Sequence, residues 1–312
     1  MQRVAGVALV ALLGASGCYR SHLLDDDDAG ARMDAPVIDS GDATCGAGSA
    51  CDCRAALPVP AGTFWVGWGN PGAPYPESPA RQVTITRDYW MGTYEVTAGC
   101  YARCIDDGTC APPEVEPFIP MREGWDLPPA YWDVPAFAHR PISFVDYPNA
   151  NAYCAWLGGR LPTSAEWEKM TRGEDGRGYP WDSAPANPRD PYPRGRSPRP
   201  DFARAHDPQE PRERVTMLLE VGSLPLGRGP YGHFEVIGNV NEWVVDWLAI
   251  PFWGPEGALV DPRNDVPSEF GHMARSEFGP GWRASSPEYN GFWGAAGIRC
   301  AFDAAPEPLL VE

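Results

Sequence analysis

Positive charge is scarce in this sequence. Lysine and arginine number 25 against 42 aspartates and glutamates, for a formal net charge of −17. A phosphate backbone would be repelled by such a chain, so nucleic acid is excluded as a partner. Long helices are also disfavoured, because 34 glycines and 36 prolines punctuate the 312 residues. Internal repeats are absent, and no G-x-S-x-G elbow or P-loop occurs. Histidine numbers only five: His22, His139, His206, His233 and His272, with no H-x-x-x-H spacing. A non-haem iron centre needs clustered histidines, or two with a carboxylate. Here it would require His139, His233, His272 and a carboxylate to converge in space. Cysteine is missing altogether between Cys154 and Cys300.

The N-terminus carries Arg3, an apolar run from Val4 to Leu13, and then "GASGC" ending at Cys18. A basic start, a short apolar stretch and small residues read as an export signal, and the run is too short to cross a bilayer as a helix. Residues 1–18 are therefore expected to be a lipoprotein signal peptide, with Cys18 the lipidated residue. The chain would be exported and held by a lipid anchor, in the outer membrane or periplasm of a bacterium. Tyr19 follows the cysteine in place of aspartate, which favours the outer membrane. Residues 19–54 form an acidic tether and a Cys-rich segment. The stretch up to about Ser49, with its Asp25–Asp28 run, has too little apolar surface to fold.

Residues 55–305 are long enough for one large domain with its own core, and 306–312 form a tail. With 13 tryptophans among so many glycines and prolines, the domain is expected to be loop-rich, with short strands and few helices around buried aromatics. "PNANAYCAWLGG" predicts a helix from about Asn149 to Leu157, stopped by Gly158 and Gly159. "LPTSAEWEKMTRG" predicts a second, opened by a Thr163–Glu166 capping box, with Trp167 and Met170 on one face. "RQVTITRDYWMGTYEVT" alternates and predicts paired strands.

Of nine cysteines, eight remain if Cys18 carries lipid, an even number suited to disulfides in an oxidising compartment. "CIDDGTC" places Cys104 and Cys110 about an Asp-Asp-Gly turn that would close a local disulfide. C-x5-C is not a zinc spacing, and no histidine lies within twenty residues of the pair. Connectivity among Cys45, Cys51, Cys53 and Cys100 is not readable. Cys154 and Cys300 would then be partners.

Several blocks in order resemble the formylglycine-generating enzyme, or sulfatase-modifying factor, family. They are "PVPAGTFWVG" (59–67 and the residue before), "ESPARQVTITRDYWMGTYEVT" (77–97), "RPISFVDYPNANAYCAWLGGRLPTSAEWEKMTRG" (140–173), "GYPW" (178–181), "VGSLPLGRGPYGHFEVIGNVNEWVVDW" (221–247) and "GIRCAF" (297–302). The resemblance implies an α+β, C-type-lectin-like fold with little regular secondary structure. It also implies a disulfide between Cys154 and Cys300. A calcium ion would be held by the carbonyls of Ile237, Gly238 and Val240 and the side chain of Glu242, the oxygen donors a hard cation prefers. A second calcium site would fall near Asp201 and Phe202.

Family oxidases hold copper between two cysteines shortly before the closing motif, soft thiolates suiting Cu(I). Here that stretch is "SEFGHMARSEFGPGW" (268–282), without a cysteine and without the usual Arg-Gly-Gly-Ser opening. Copper is not expected. His272 and Met273, the only such donors left there, read as packing. Glu242 and Asp246, four apart, fall in the turn and the following strand and do not read as a catalytic pair. The expected function is a non-catalytic binding or structural module: a pseudoenzyme whose old substrate groove takes a protein, peptide or glycan. Trp253, Trp282, Phe292 and Trp293 would line that groove. The competing expectation is a metal-dependent oxidoreductase of the formylglycine-generating or non-haem iron type with a remodelled centre.

Overall fold

Glycine and proline bound nearly every strand, and the strands are accordingly short. The computed structural model describes residues 50, 52–67, 80–113, 130–175, 177, 180, 218–249, 258–269, 271–275, 283–284 and 296–310. All of them belong to one unit, Ile38–Glu312. Strand β1 (Ala56–Val59) runs antiparallel to β4 (Tyr89–Gly92), whose other edge takes β10 (Ala301–Phe302), also antiparallel. A second sheet joins β2 (Gly62–Val66) and β3 (Arg81–Ile85) antiparallel, with β6 (Leu259–Val260) parallel to β3. In the third sheet, β5 (Asn241–Trp247) lies between β7 (His272–Arg275) and β9 (Ala296–Gly297), with β8 (Arg283–Ala284) outside β7.

The alternation around residues 81–92 predicts strands correctly but pairs them wrongly. β3 and β4 do not pair with each other; they enter different sheets. Alternation sets which face of a strand is buried, whereas its partner is chosen by tertiary packing. In β3 the inward Val83 and Ile85 join Phe64 and Val66 of β2 in a core shared with Tyr89, Trp167 and Met273.

Among the described residues, three α-helices complete the α+β fold. Helix α1 (Ala98–Asp106) begins at Thr97, whose hydroxyl accepts from the Cys100 amide, and buries Ala98, Cys100, Tyr101 and Cys104. Helix α2 (Tyr147–Trp156) starts two residues earlier than expected. Asp146 caps it by accepting from the Asn149 amide, with Pro148 in the first turn, where a missing N–H is harmless. Gly158 then takes a φ of 82°, ending the helix in a conformation that favours glycine. Helix α3 (Ser164–Arg172) carries the expected Thr163–Glu166 capping box. It is not the one-sided helix that Trp167 and Met170 suggest: all nine of its residues are buried, Lys169 and Arg172 included.

Cys104 and Cys110 are bonded, as are Cys154 and Cys300, the second pair joining α2 to the residue before β10. Cys53 is bonded to Cys100. Residues 52–54, expected in the tether segment, fold onto the domain instead. Asp52 bridges to Leu310 of the tail, Cys53 N donates to Leu309 O at 2.8 Å, and Leu309 N donates to the Asp52 carboxylate at 2.8 Å. The Cys53–Cys100 bond fastens residues 52–54 to α1. Cys18, Cys45 and Cys51 lie outside the described residues.

Candidate functional site

The turn before β5 is held in place by carboxylates from elsewhere. Gly238 and Asn239 adopt φ of 85° and 67°, a left-handed pair that glycine and asparagine tolerate. Glu95 accepts from the Asn239 amide nitrogen at 2.6 Å and from Val240 N at 3.1 Å. Glu235, itself at φ 43°, accepts from Gly222 N and Leu224 N at 2.8 and 3.1 Å. Glu242 accepts from Arg299 Nε at 2.9 Å through one oxygen and from Trp167 Nε1 through the other. Arg299 also donates to the carbonyls of Gly92, Thr93, Phe234 and Glu235, so its whole fork is used within the fold.

Three buried carboxylates thus surround a single guanidinium. Burial, and next the charge of Glu242, push Glu95 well above the usual carboxylate range. Burial raises Glu235 as well, against the pull of the Gly222 and Leu224 amides. Burial opposes the charge on Arg299, but Glu242, Glu95 and Glu235 together raise its pKa. Buried His233, whose ring Nε2 lies 3.2 Å from Met91 O, is lowered to about 3 by desolvation and then by Arg299.

For calcium, the expected donors at the turn are three carbonyls and the Glu242 carboxylate, all of them oxygen. The Gly238 carbonyl already accepts from Val240 N at 3.0 Å, leaving one lone pair. Glu242 is more committed, with Arg299 against one oxygen and Trp167 against the other. A cation there would share this carboxylate with a guanidinium.

A second buried network occupies the segment where the family resemblance implies copper. In β7, Met273, Ala274 and Arg275 are buried and His272 is half-buried. His272 stacks on Tyr147 at 3.4 Å between ring centroids and on Trp247 at 3.9 Å. Arg275 donates to Glu168 at 3.0 Å and to the Ser164 hydroxyl at 3.1 Å, its guanidinium 4.8 Å over the Trp167 ring. The other Glu168 oxygen accepts from Arg172 and from Gly67 N, both at 2.7 Å. Residues 276–282 lie outside the described set.

Trp167 links the two networks, its N–H on Glu242 and its face beneath Arg275. Asp246 is structural, accepting from Ser164 N and Asn264 N at 2.7 Å each. The histidines do not converge: His139 is exposed, His233 is buried by Met91, and His272 sits in its aromatic stack. Among the described residues, no three His, Cys, Asp or Glu side chains group to hold a metal. His206, Asp201, Phe202, Trp253, Trp282, Phe292 and Trp293 lie outside them.

Sequence reasoning finds Glu242 but misses Glu95, Glu235, Arg299 and Trp167. The only local signal for Arg299 is its place beside Cys300, and Glu95 is separated from the turn by more than a hundred residues.

Comparison with known proteins fits this architecture. Residues 45–257 match the sulfatase-modifying factor enzyme 1-like domain. Formylglycine-generating enzyme from Mus musculus is 28% identical over 80% of this chain and 75% of its own length. The inactive C-alpha-formylglycine-generating enzyme 2 from the same organism is 29% identical over 61% of this chain and 68% of its own. The structure of PvdO from Pseudomonas aeruginosa superposes with a TM-score of 0.55 at 22% identity, covering 84% of this chain and 98% of that one, a likeness of fold. With more than half of its length matched, the chain belongs to the sulfatase-modifying factor enzyme 1-like family.

Proposed function

We propose that this protein is an exported, lipid-anchored member of its family that lacks the copper oxidase centre and works as a non-catalytic binding module. One observation carries the reading: the cysteines are elsewhere. The chain has none between Cys154 and Cys300, and the six described cysteines are all spent in disulfides. Copper oxidation of a substrate cysteine needs two free thiolates on one ion. Arg275 has no soft donor, keeps its charge, and is ion-paired with Glu168. The occurrence of a family relative named as inactive is consistent with a fold kept without the chemistry.

In this reading the ligand is a protein, peptide or glycan in the old substrate groove. Cys18 carries the lipid, and Cys18→Ala releases the protein into the soluble fraction. The turn carbonyls of Ile237, Gly238 and Val240, with Glu242, hold calcium as a structural ion. Its support is the all-oxygen donor set.

The deciding experiment measures copper in the purified protein and incubates it with a Cys-x-Pro-x-Arg peptide under O2 and reductant. No stoichiometric copper and an unchanged peptide are expected. A peptide mass loss of about 18 Da, thiol converted to aldehyde, overturns the reading.

A further inference from the structure

We infer that the Cys53–Cys100 disulfide is a thiol-releasable latch, holding a strap, residues 52–54, against the cleft that both cysteines line. Three independent features set this bond apart. Access is the first. Among the six described cysteines, Cys53 alone is half-buried; Cys100, Cys104, Cys110, Cys154 and Cys300 are buried. Cys53 and Cys100 also line a narrow cleft, with Tyr94, Leu157, Cys300 and Phe302 on its walls. Cys53 is thus the least buried of the six described cysteines.

The leaving group is the second. Cys100 lies in the first turn of α1, where backbone N–H groups stabilise a thiolate. Cys104 lies toward the C-terminal end of the same helix, and Cys154 toward that of α2, where carbonyls disfavour one. Exchange is faster when the departing thiol has the lower pKa, so attack at Cys53 expels the best thiolate among these three helical cysteines.

What the bond restrains is the third. On its N-terminal side the strap is held by a few hydrogen bonds: Cys53 N to Leu309 O at 2.8 Å, Arg54 N and Leu309 N to the Asp52 carboxylate at 3.0 and 2.8 Å. Cys154 and Cys300 both lie inside the buried core, whereas Cys53 only packs against it.

The reaction balances with a thiol reductant, either a dithiol or two equivalents of a small monothiol. Its thiolate attacks Cys53 Sγ, the Cys53–Cys100 bond breaks, and Cys100 leaves as a thiolate that takes a proton. A second thiolate resolves the mixed disulfide at Cys53. Two electrons pass to the protein, giving two thiols and one oxidised reductant. Residues 52–54 and the tail at 309–310 then separate and the cleft opens.

The test uses the full chain, graded dithiothreitol, alkylation and peptide mass mapping, alongside hydrogen exchange of the same samples. Cys53 and Cys100 should become alkylated on the order of tenfold faster than Cys154 and Cys300, as access and leaving-group strength together dictate. At that stage the amides of Cys53 and Leu309 should lose protection while those of α2 and β5 keep theirs. A Cys53→Ser/Cys100→Ser variant should show the same exchange pattern without reductant. Should it fail to fold, partially reduced wild type supplies the same readout. The inference is overturned if another described disulfide opens first, if Cys53 and Cys100 appear as thiols only with global unfolding, or if the strap amides stay protected after reduction.

Discussion

Arg299 and Glu242 approach to 2.7 Å with both side chains almost wholly withdrawn from solvent. They tie the residue before Cys300 to the start of β5, and four backbone carbonyls share the remaining guanidinium protons. Removing one partner of such a pair strands the other charge in a low-dielectric interior. Arg299→Met should therefore destabilise the fold by roughly 3–5 kcal/mol. Glu242→Gln should be similarly damaging, and the double variant should lose less than the sum, since the two act on one interaction. Chemical denaturation of the three variants measures this; additive losses would mean that the pair is not coupled.

His233 gives a signed pH dependence. Its native pKa is lowered to about 3 from an ordinary value of 6.5. Between those values the unfolded chain binds a proton that the native chain does not. The contribution is fully present above pH 6.5 and is lost as pH falls, at up to about 1.4 kcal/mol per pH unit. The raised Glu95 and Glu235 work in the opposite direction, because the native state holds protons there that the unfolded state gives up. Comparison with His233→Gln isolates the histidine. Wild type should lose about 2 kcal/mol more than the variant between pH 7 and pH 5 in urea denaturation. Parallel slopes would show that His233 titrates normally.

Calcium binding at the turn predicts a lower melting temperature on chelation, restored by added Ca2+, because a ligand bound only by the folded state stabilises it. Glu242→Gln weakens the Arg299 pair as well, so its absolute melting temperature is uninformative. The calcium-dependent difference is the readout, and it should largely vanish in the variant. An unchanged melting temperature of wild type in chelator would reduce the turn to its hydrogen bonds.

Gly159 leaves no room for a side chain: an added Cβ would lie 2.6 Å from Ala301 O and 2.8 Å from the Phe302 ring. Gly159→Ala should disrupt the Arg160–Ala301 bridge on the edge of β10 opposite β4 and cost roughly 1–3 kcal/mol. Thermal denaturation measures it; a neutral result would mean that this sheet edge yields readily.

What could be read from the chain beforehand was local or family-wide. Thr163 and Glu166 cap α3 as their spacing requires, because a capping box is closed within four residues. The Cys154–Cys300 bond joins positions 146 apart; cysteine arithmetic suggests it and the resemblance to a family implies it, but no local pattern does. The reach of α2 back to Asp146 was available in the Asp-x-x-Asn spacing but obscured by Pro148. The buried charges were invisible. Glu168 looks like an exposed helix residue until Arg275, 107 positions away, is brought against it. A charged residue reads as surface in any one-dimensional pattern, and only tertiary pairing makes its burial tolerable.

Lys169 is the one lysine in the chain, and its side chain is fully buried, the ammonium 3.0 Å from Glu174. Side-chain amine acylation is therefore confined to a single, shielded position. An amine-reactive probe will be silent at this site while α3 is packed and will label it when the helix comes free. The molecule carries its own single-point reporter of opening, one that separates release of the helix from events at the chain ends without any engineered tag.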